Sequence, residues 1–281
     1  MTITGPREPI ALPNGAVICL SVTIAFEAFR YHGHYSHAQK GPKEVDLFSL
    51  SYADYGAKVG IWRVFDLLDR HGIKATFDVG GMAAEQHPAI IAEMHKRGHE
   101  AAAHGYANDE YPQESDTEGE LKGIQATIAA IEKGCGERPV GWVSPGSLGT
   151  SKTMDFMAQE GFLWNGDDAS DDMPFVQEVN GKQIVILPRV NFPTNDLIVC
   201  LKGGNPPSAY FNGFKETFEF LYDEGRRGSP KWVDILIHSD MGARPPIMAV
   251  FEKAIRHAKG FDGVWIARRR DLAEWVLSKN T

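Results

Sequence analysis

The chain has 281 residues, 43% of them hydrophobic and 23% charged, a balance that excludes disorder and leaves enough material to bury a sizeable core. Its formal net charge is −8 and no basic run exceeds Arg268-Arg269-Arg270, which argues against a nucleic-acid partner. The three cysteines, Cys19, Cys135 and Cys200, are too few and too scattered for a disulfide frame or a zinc site, so they read as reduced thiols of a cytoplasmic protein.

Residues 1–13 lack a basic stretch followed by a long apolar one, so no signal peptide is expected. Ala16 to Glu27 then reads as the first strand, β-branched and apolar, and too short to span a bilayer. It ends in Glu27, a carboxylate costly to bury unless it is paired or used. Arg30 to Ser51 carries His32, His34 and His37 with no cysteine or close carboxylate to complete a ligand set. The expectation is a loop over a site rather than a metal centre. Tyr55–His71 has helical spacing and Gly72 to end it, and a second strand runs from Ile73 to Gly80.

Pro88–Lys96 is the next helix, and the short strand after Gly98 delivers His104 onto Gly105. Glu118–Lys133 is helical, Val140–Gly146 a strand opening into a Pro-Gly turn, and Lys152–Glu160 a further helix. Phe162–Asn165 is a strand feeding an acidic loop, Asp167 to Asp172, followed by a strand at Ile184–Leu187 and a helix at Phe214–Arg226. Val233–His238 is a strand ending in histidine; Pro246–Ala258, Gly263–Ala267 and Asp271–Leu277 complete a helix, a strand and a helix. Alternating strands and helices predict a largely parallel sheet, and roughly seven strand signals favour a barrel over an open sheet. Nothing reads as a linker, so residues 1–281 are expected to form one domain. No glycine-rich dinucleotide or P-loop fingerprint is present.

Glu27, His104 and His238 each close a predicted strand, and in a parallel barrel those ends converge on one face. Trp142, Pro145 and the acidic loop would line the same mouth. A carboxylate able to act on water beside a histidine able to protonate a leaving group suits hydrolysis of a carbon–nitrogen or ester bond. No Gly-x-Ser-x-Gly elbow or activated cysteine offers a covalent nucleophile.

At these positions the chain resembles the polysaccharide deacetylase (NodB-homology) family. It is most similar to the branch of peptidoglycan deacetylase-like proteins, cyclic imide hydrolases and the allantoinase of polysaccharide-deacetylase type. The resemblance rests on Val59-Gly-Ile-Trp-Arg-Val-Phe-Asp-Leu-Leu, His71-Gly-Ile-Lys-Ala-Thr-Phe and Gly98-His-Glu-Ala-Ala-Ala-His-Gly-Tyr. Gly141-Trp-Val-Ser-Pro-Gly, Asp171-Asp-Met-Pro, His238-Ser-Asp-Met-Gly-Ala-Arg-Pro and Gly263-Val-Trp-Ile-Ala add to it. It implies an irregular (β/α) barrel and a hydrolase of amide or cyclic amide bonds.

Metal-dependent members carry paired aspartates at the first strand end and a His-x-x-x-His pair. Here Glu27 is the one carboxylate, Asn108 stands four residues after His104, and Val143 lies near the place of a common arginine. The resemblance therefore implies chemistry without a cofactor, with Glu27 as base or water-positioning group and His238 as acid or oxyanion stabiliser. His104 is a second acid–base group or the remnant of a metal site. Trp142 would wall the pocket, while Asp168, Asp172 and Arg244 would fix substrate polar groups or one another. The alternatives are a metal-dependent N-deacetylase of sugars or peptidoglycan, and a non-catalytic descendant that binds a small amide or sugar. In the first, zinc would sit on Glu27 and His104, with Asp109 or Glu110 recruited. The expected partner is a small-molecule substrate, with no nucleic acid and no membrane, and similarity to this branch implies a homo-oligomer.

Overall fold

The computed structural model describes residues 9–36, 41, 43–189 and 191–279; His37 lies outside them. Its strands are β1 (Ile18–Phe26), β2 (Thr76–Val79), β3 (Glu100–Ala103), β4 (Gly141–Trp142), β5 (Trp164–Asn165), β6 (Phe175–Val179), β7 (Lys182–Ile186), β8 (Lys231–His238) and β9 (Val264–Ile266). They form one curled sheet in the order β6-β7-β5-β4-β3-β2-β1-β8, with β9 also paired to β1, and helices pack around this half-barrel. Every pairing is parallel except the β6–β7 hairpin.

Alternation along the strands sorts two faces. Ile18, Leu20, Val22, Ile24 and Phe26 of β1, with Phe77 and Val79 of β2 and Val233, Ile235 and Ile237 of β8, join the helices in the main core. The other face starts apolar, where Cys19, Ala102 and Trp232 pack on Leu272, Ala273 and Val276 of the helix Arg269–Lys279. Above that floor comes a charged layer. Arg269 is fully buried; its Nη1 donates to both oxygens of Asp78 (2.9 and 3.2 Å) and its Nη2 to Asp234 (2.5 Å). Thr23 donates to Asp234 at 2.6 Å. Glu100 accepts from Thr76, Trp164 and the backbone of Arg270, and burial pushes its carboxyl up. Residues one step further along the strands open into a cavity.

Register aligns the ends: Ala25 pairs with both Asp78 and His238, and Val79 with Ala103, so Glu27, His104 and His238 arrive at one level. Several elements depart from expectation. A helix at Leu47–Tyr55 begins inside the predicted loop, because Asp46 caps it by accepting from the N–H groups of Phe48 (3.1 Å) and Ser49 (3.2 Å). It continues through a wide turn at Gly56–Gly60 into Ile61–His71. A Cβ at Gly60 would stand 2.0 Å from the carbonyl oxygen of Ser239, so only glycine lets this turn lie on the end of β8. The helix Gly81–Gln86 and strand β6 also went unread; β6 is turned into β7 by Asn180-Gly181, both at positive φ. No helix among the described residues is long and apolar enough to cross a membrane.

Candidate active site

Glu27 follows the last residue of β1, its side chain 7% exposed. One carboxylate oxygen lies 2.7 Å from His34 Nε2, the other 3.1 Å from His104 Nε2, and His238 Nε2 stands 3.9 Å away. Burial alone would push this carboxyl up. The pull of His34, the hydrogen bonds from His104 and His34, and the charge of His238 overturn that and hold it well below the usual carboxylate range.

His104 is oriented by a carbonyl. Its Nδ1 lies 2.8 Å from the oxygen of Val143, which can only accept, so Nδ1 carries a proton and Nε2 faces Glu27. Burial opposes a charge on this ring, but the hydrogen bond and charge of Glu27 win and raise its pKa. His238 is oriented by Asp196, whose Oδ1 is 2.6 Å from Nδ1 and whose Oδ2 accepts the His238 backbone N–H at 2.9 Å. Against the cost of burial, Asp196 first and Glu27 next raise the His238 pKa to about 9, which makes it an acid at neutral pH. His34 packs edge-on against His238, ring centres 4.9 Å apart.

The cavity around these groups holds about 300 Å³ and is lined further by His32, Asp78, Tyr111, Arg189, Asn195 and Lys202. A wider groove of about 540 Å³, between helices Thr117–Cys135 and Thr153–Glu160, has no histidine in its lining.

The structure brings Glu27, His104 and His238 together, and it seats the other expected residues elsewhere. Trp142 is buried against Phe162 in the core and donates to Ser144, because inner and outer faces alternate and its side chain falls on the outer one. Asp168 accepts from the backbone and hydroxyl of Ser170, closing its own turn, and Asp172 is exposed. Arg244 lies over the rings of Tyr52 (3.7 Å) and Tyr55 (4.1 Å) and donates to the Asp240 carbonyl, clamping the loop after β8. Asp109 is spent on the N–H groups of Arg30, Tyr31 and His32, and Glu110 pairs with Arg30, so neither completes a ligand set with Glu27 and His104.

Two residues at the centre were missed. Asp196 precedes a short apolar run with no periodicity to place it, and its value shows only when Asn195 bridges to Leu236 of β8. The sequence places His34 in a covering loop, and it does line the cavity. The carboxylate that it lacked in sequence, Glu27, comes from the end of β1.

Where metal-dependent deacetylases carry the second histidine of their pair, this chain has Asn108, which serves the backbone. Asn108 Oδ1 accepts from Ala28 N–H (3.3 Å) and its Nδ2 donates to the His104 carbonyl (2.9 Å), so both ends of the amide bind backbone. A Cβ at Gly80 would come within 2.4 Å of that oxygen, so the space is already filled. A different trio fits a divalent ion better: ligand atoms of Glu27, His34 and His238 lie within 4.8 Å of one another. The Asp196 carboxylate behind His238 is the support that metal-binding imidazoles commonly have.

Residues 40–163 match the family model described as polysaccharide deacetylase. Among curated proteins, the chain is 24% identical over 273 residues to a peptidoglycan deacetylase of Helicobacter pylori, covering 82% of this chain and 88% of that protein. It is 26% identical over 243 residues to a putative polysaccharide deacetylase of Schizosaccharomyces pombe, covering 81% and 75%. Among solved structures, a probable polysaccharide deacetylase from Pseudomonas aeruginosa superposes with TM-score 0.87 at 29% identity, covering 97% of this chain and 94% of the other. The Puue allantoinase superposes equally, TM-score 0.87 at 28% identity, covering 98% and 95%.

Proposed function

We propose that this chain, whose residues 40–163 match the polysaccharide deacetylase model, hydrolyses a carbon–nitrogen bond in a small cyclic amide or imide, without the histidine pair of metal-dependent deacetylases. The reaction class is hydrolysis of a non-peptide carbon–nitrogen bond, which the deacetylase relatives and the allantoinase neighbour both support. The observation that carries the finer reading is one buried carboxylate ringed by three imidazoles in a cavity of about 300 Å³, the size of a small-molecule site.

A carboxylate held so low stays ionised at working pH and takes up a proton poorly. Glu27 therefore orients the attacking water, and the proton that the water loses replaces, on His238 Nε2, the one that this ring gives to the departing nitrogen. The water oxygen bonds to the substrate carbonyl carbon, the carbon–nitrogen bond breaks, and His238 Nε2 hands its proton to the departing nitrogen. Asp196 keeps that ring charged and aimed. His104, anchored by the Val143 carbonyl, holds the other oxygen of Glu27. Turnover of cyclic imides, hydantoins, allantoin and N-acetyl sugars, with and without added divalent metal, tests this. Ring opening that needs no added metal supports it, and activity confined to N-acetyl sugars contradicts it.

The proximity of Glu27, His34 and His238 favours a second reading. These three would hold a divalent cation, which when bound polarises a carbonyl or lowers the pKa of water. Elemental analysis of protein purified without chelator decides it: near-stoichiometric zinc favours the cation.

A further inference from the structure

One cation in the cavity wall takes no part in the Glu27 cluster. Arg189 follows β7, is 7% exposed, and lines the same cavity as Glu27, His104 and His238. Its Nε donates to the Gly166 carbonyl at 3.0 Å and its Nη2 to Ser147 Oγ at 2.9 Å; Nη1 reaches Asp78 only at 3.4 Å. A guanidinium offers five N–H donors, and these acceptors use three of them.

Asp78 is a poor counter-ion for Arg189, because Arg269 already holds both its oxygens at 2.9 and 3.2 Å. Burial, and then the charge of Arg269, push the Arg189 pKa down. A buried cation with spare donors and a shared partner is costly until something completes it. Lys202 lines the exposed rim of the same cavity, and no carboxylate among the described residues forms an ion pair with it.

We propose that Arg189 is the carboxylate-binding residue of this cavity, its spare N–H groups gripping two carboxylate oxygens while Lys202 attracts the anion at the rim. The planar fork of arginine matches that geometry, which a lysine ammonium does not. The assignment rests on the reading above that this cavity is the reacting site. The carboxylate can come from two sources: a group pendant on the substrate, or the one that ring opening makes from the scissile carbonyl.

Titration calorimetry with matched pairs tests it, using succinimide against succinamate and hydantoin against hydantoin-5-acetate. Wild-type protein should bind at least one acid about tenfold or more tightly than its neutral partner, the size expected of a charged hydrogen bond. A preference within the succinimide pair points to the product carboxylate, and one within the hydantoin pair to a pendant group. Arg189→Gln should erase the preference without weakening the neutral ligands, and Arg189→Lys should keep part of it.

Equal binding of acid and neutral by the wild type, or no binding of either acid, overturns the assignment, as does a preference that survives in folded Arg189→Gln. If that variant fails to fold, the wild-type comparison and Arg189→Lys decide. A chain that opens no cyclic amide can still show the preference, and one that opens them without the preference sinks Arg189 alone.

Discussion

Replacing Asp196 with Asn keeps the shape behind His238 and removes its charge. In the native chain Oδ1 faces the ring Nδ1 at 2.6 Å and Oδ2 accepts the backbone N–H at 2.9 Å; the amide can accept at only one of these places. Asp196 is the largest influence raising the His238 pKa to about 9, with burial working against it. Without that charge the pKa should fall to the ordinary value near 6.5 or below. At pH 8 the protonated fraction then drops from about nine-tenths to about one-thirtieth, a loss of roughly thirtyfold in the competent acid before any misorientation. Misorientation adds to it, since an analogous change behind a catalytic histidine costs about ten-thousandfold elsewhere. Nitrogen-detected NMR of the His238 ring reads the pKa with no substrate present. A pH–rate profile on the best substrate should show the alkaline limb moving toward acid by about two and a half units or more. If the ring still titrates near 9 in the variant, or the limb stays in place, the account of His238 is wrong.

Arg269→Met should leave Asp234 without its cation and Asp78 with only Arg189 at 3.4 Å, and cost about 3–5 kcal/mol in urea unfolding; a loss below about 1 kcal/mol would contradict the charged layer. Gly60→Ala drives a Cβ to 2.0 Å from the Ser239 carbonyl and should cost about 3 kcal/mol or more, lowering the melting temperature. An unchanged melting point would mean that the turn and β8 part easily. His99 is stacked on Phe65, its Nδ1 accepts from Ala75 N–H, and burial depresses its pKa to about 4. The folded state therefore binds this proton less readily than the unfolded chain. Stability is full above about pH 6.5 and falls as pH drops toward 4, by roughly 3 kcal/mol from this group. Unfolding midpoints across that window check it, and His99→Gln should flatten the slope.

The sequence made the barrel and three of its central residues legible for a common reason. Apolar alternation locates strands, and a polar residue at the end of such a strand stands out, as Glu27, His104 and His238 do. Trp142 was misjudged because β4 spans only two residues, too few to tell an inner face from an outer one. His34, Asp196 and Arg189 were illegible because they sit in segments without periodicity, and their partners lie 7, 42 and 111 positions away. Asp78 and Asp234 were readable in principle, as charges inside apolar strands, yet only the register shows Arg269 between them.

The most direct test of the central claim is kcat/KM of Glu27→Gln on the cyclic amide that the wild type opens. Glutamine keeps the volume but cannot hold the three imidazoles by charge, so activity should fall by about a hundredfold or more while the fold persists. A folded Glu27→Gln protein with wild-type turnover would contradict the account.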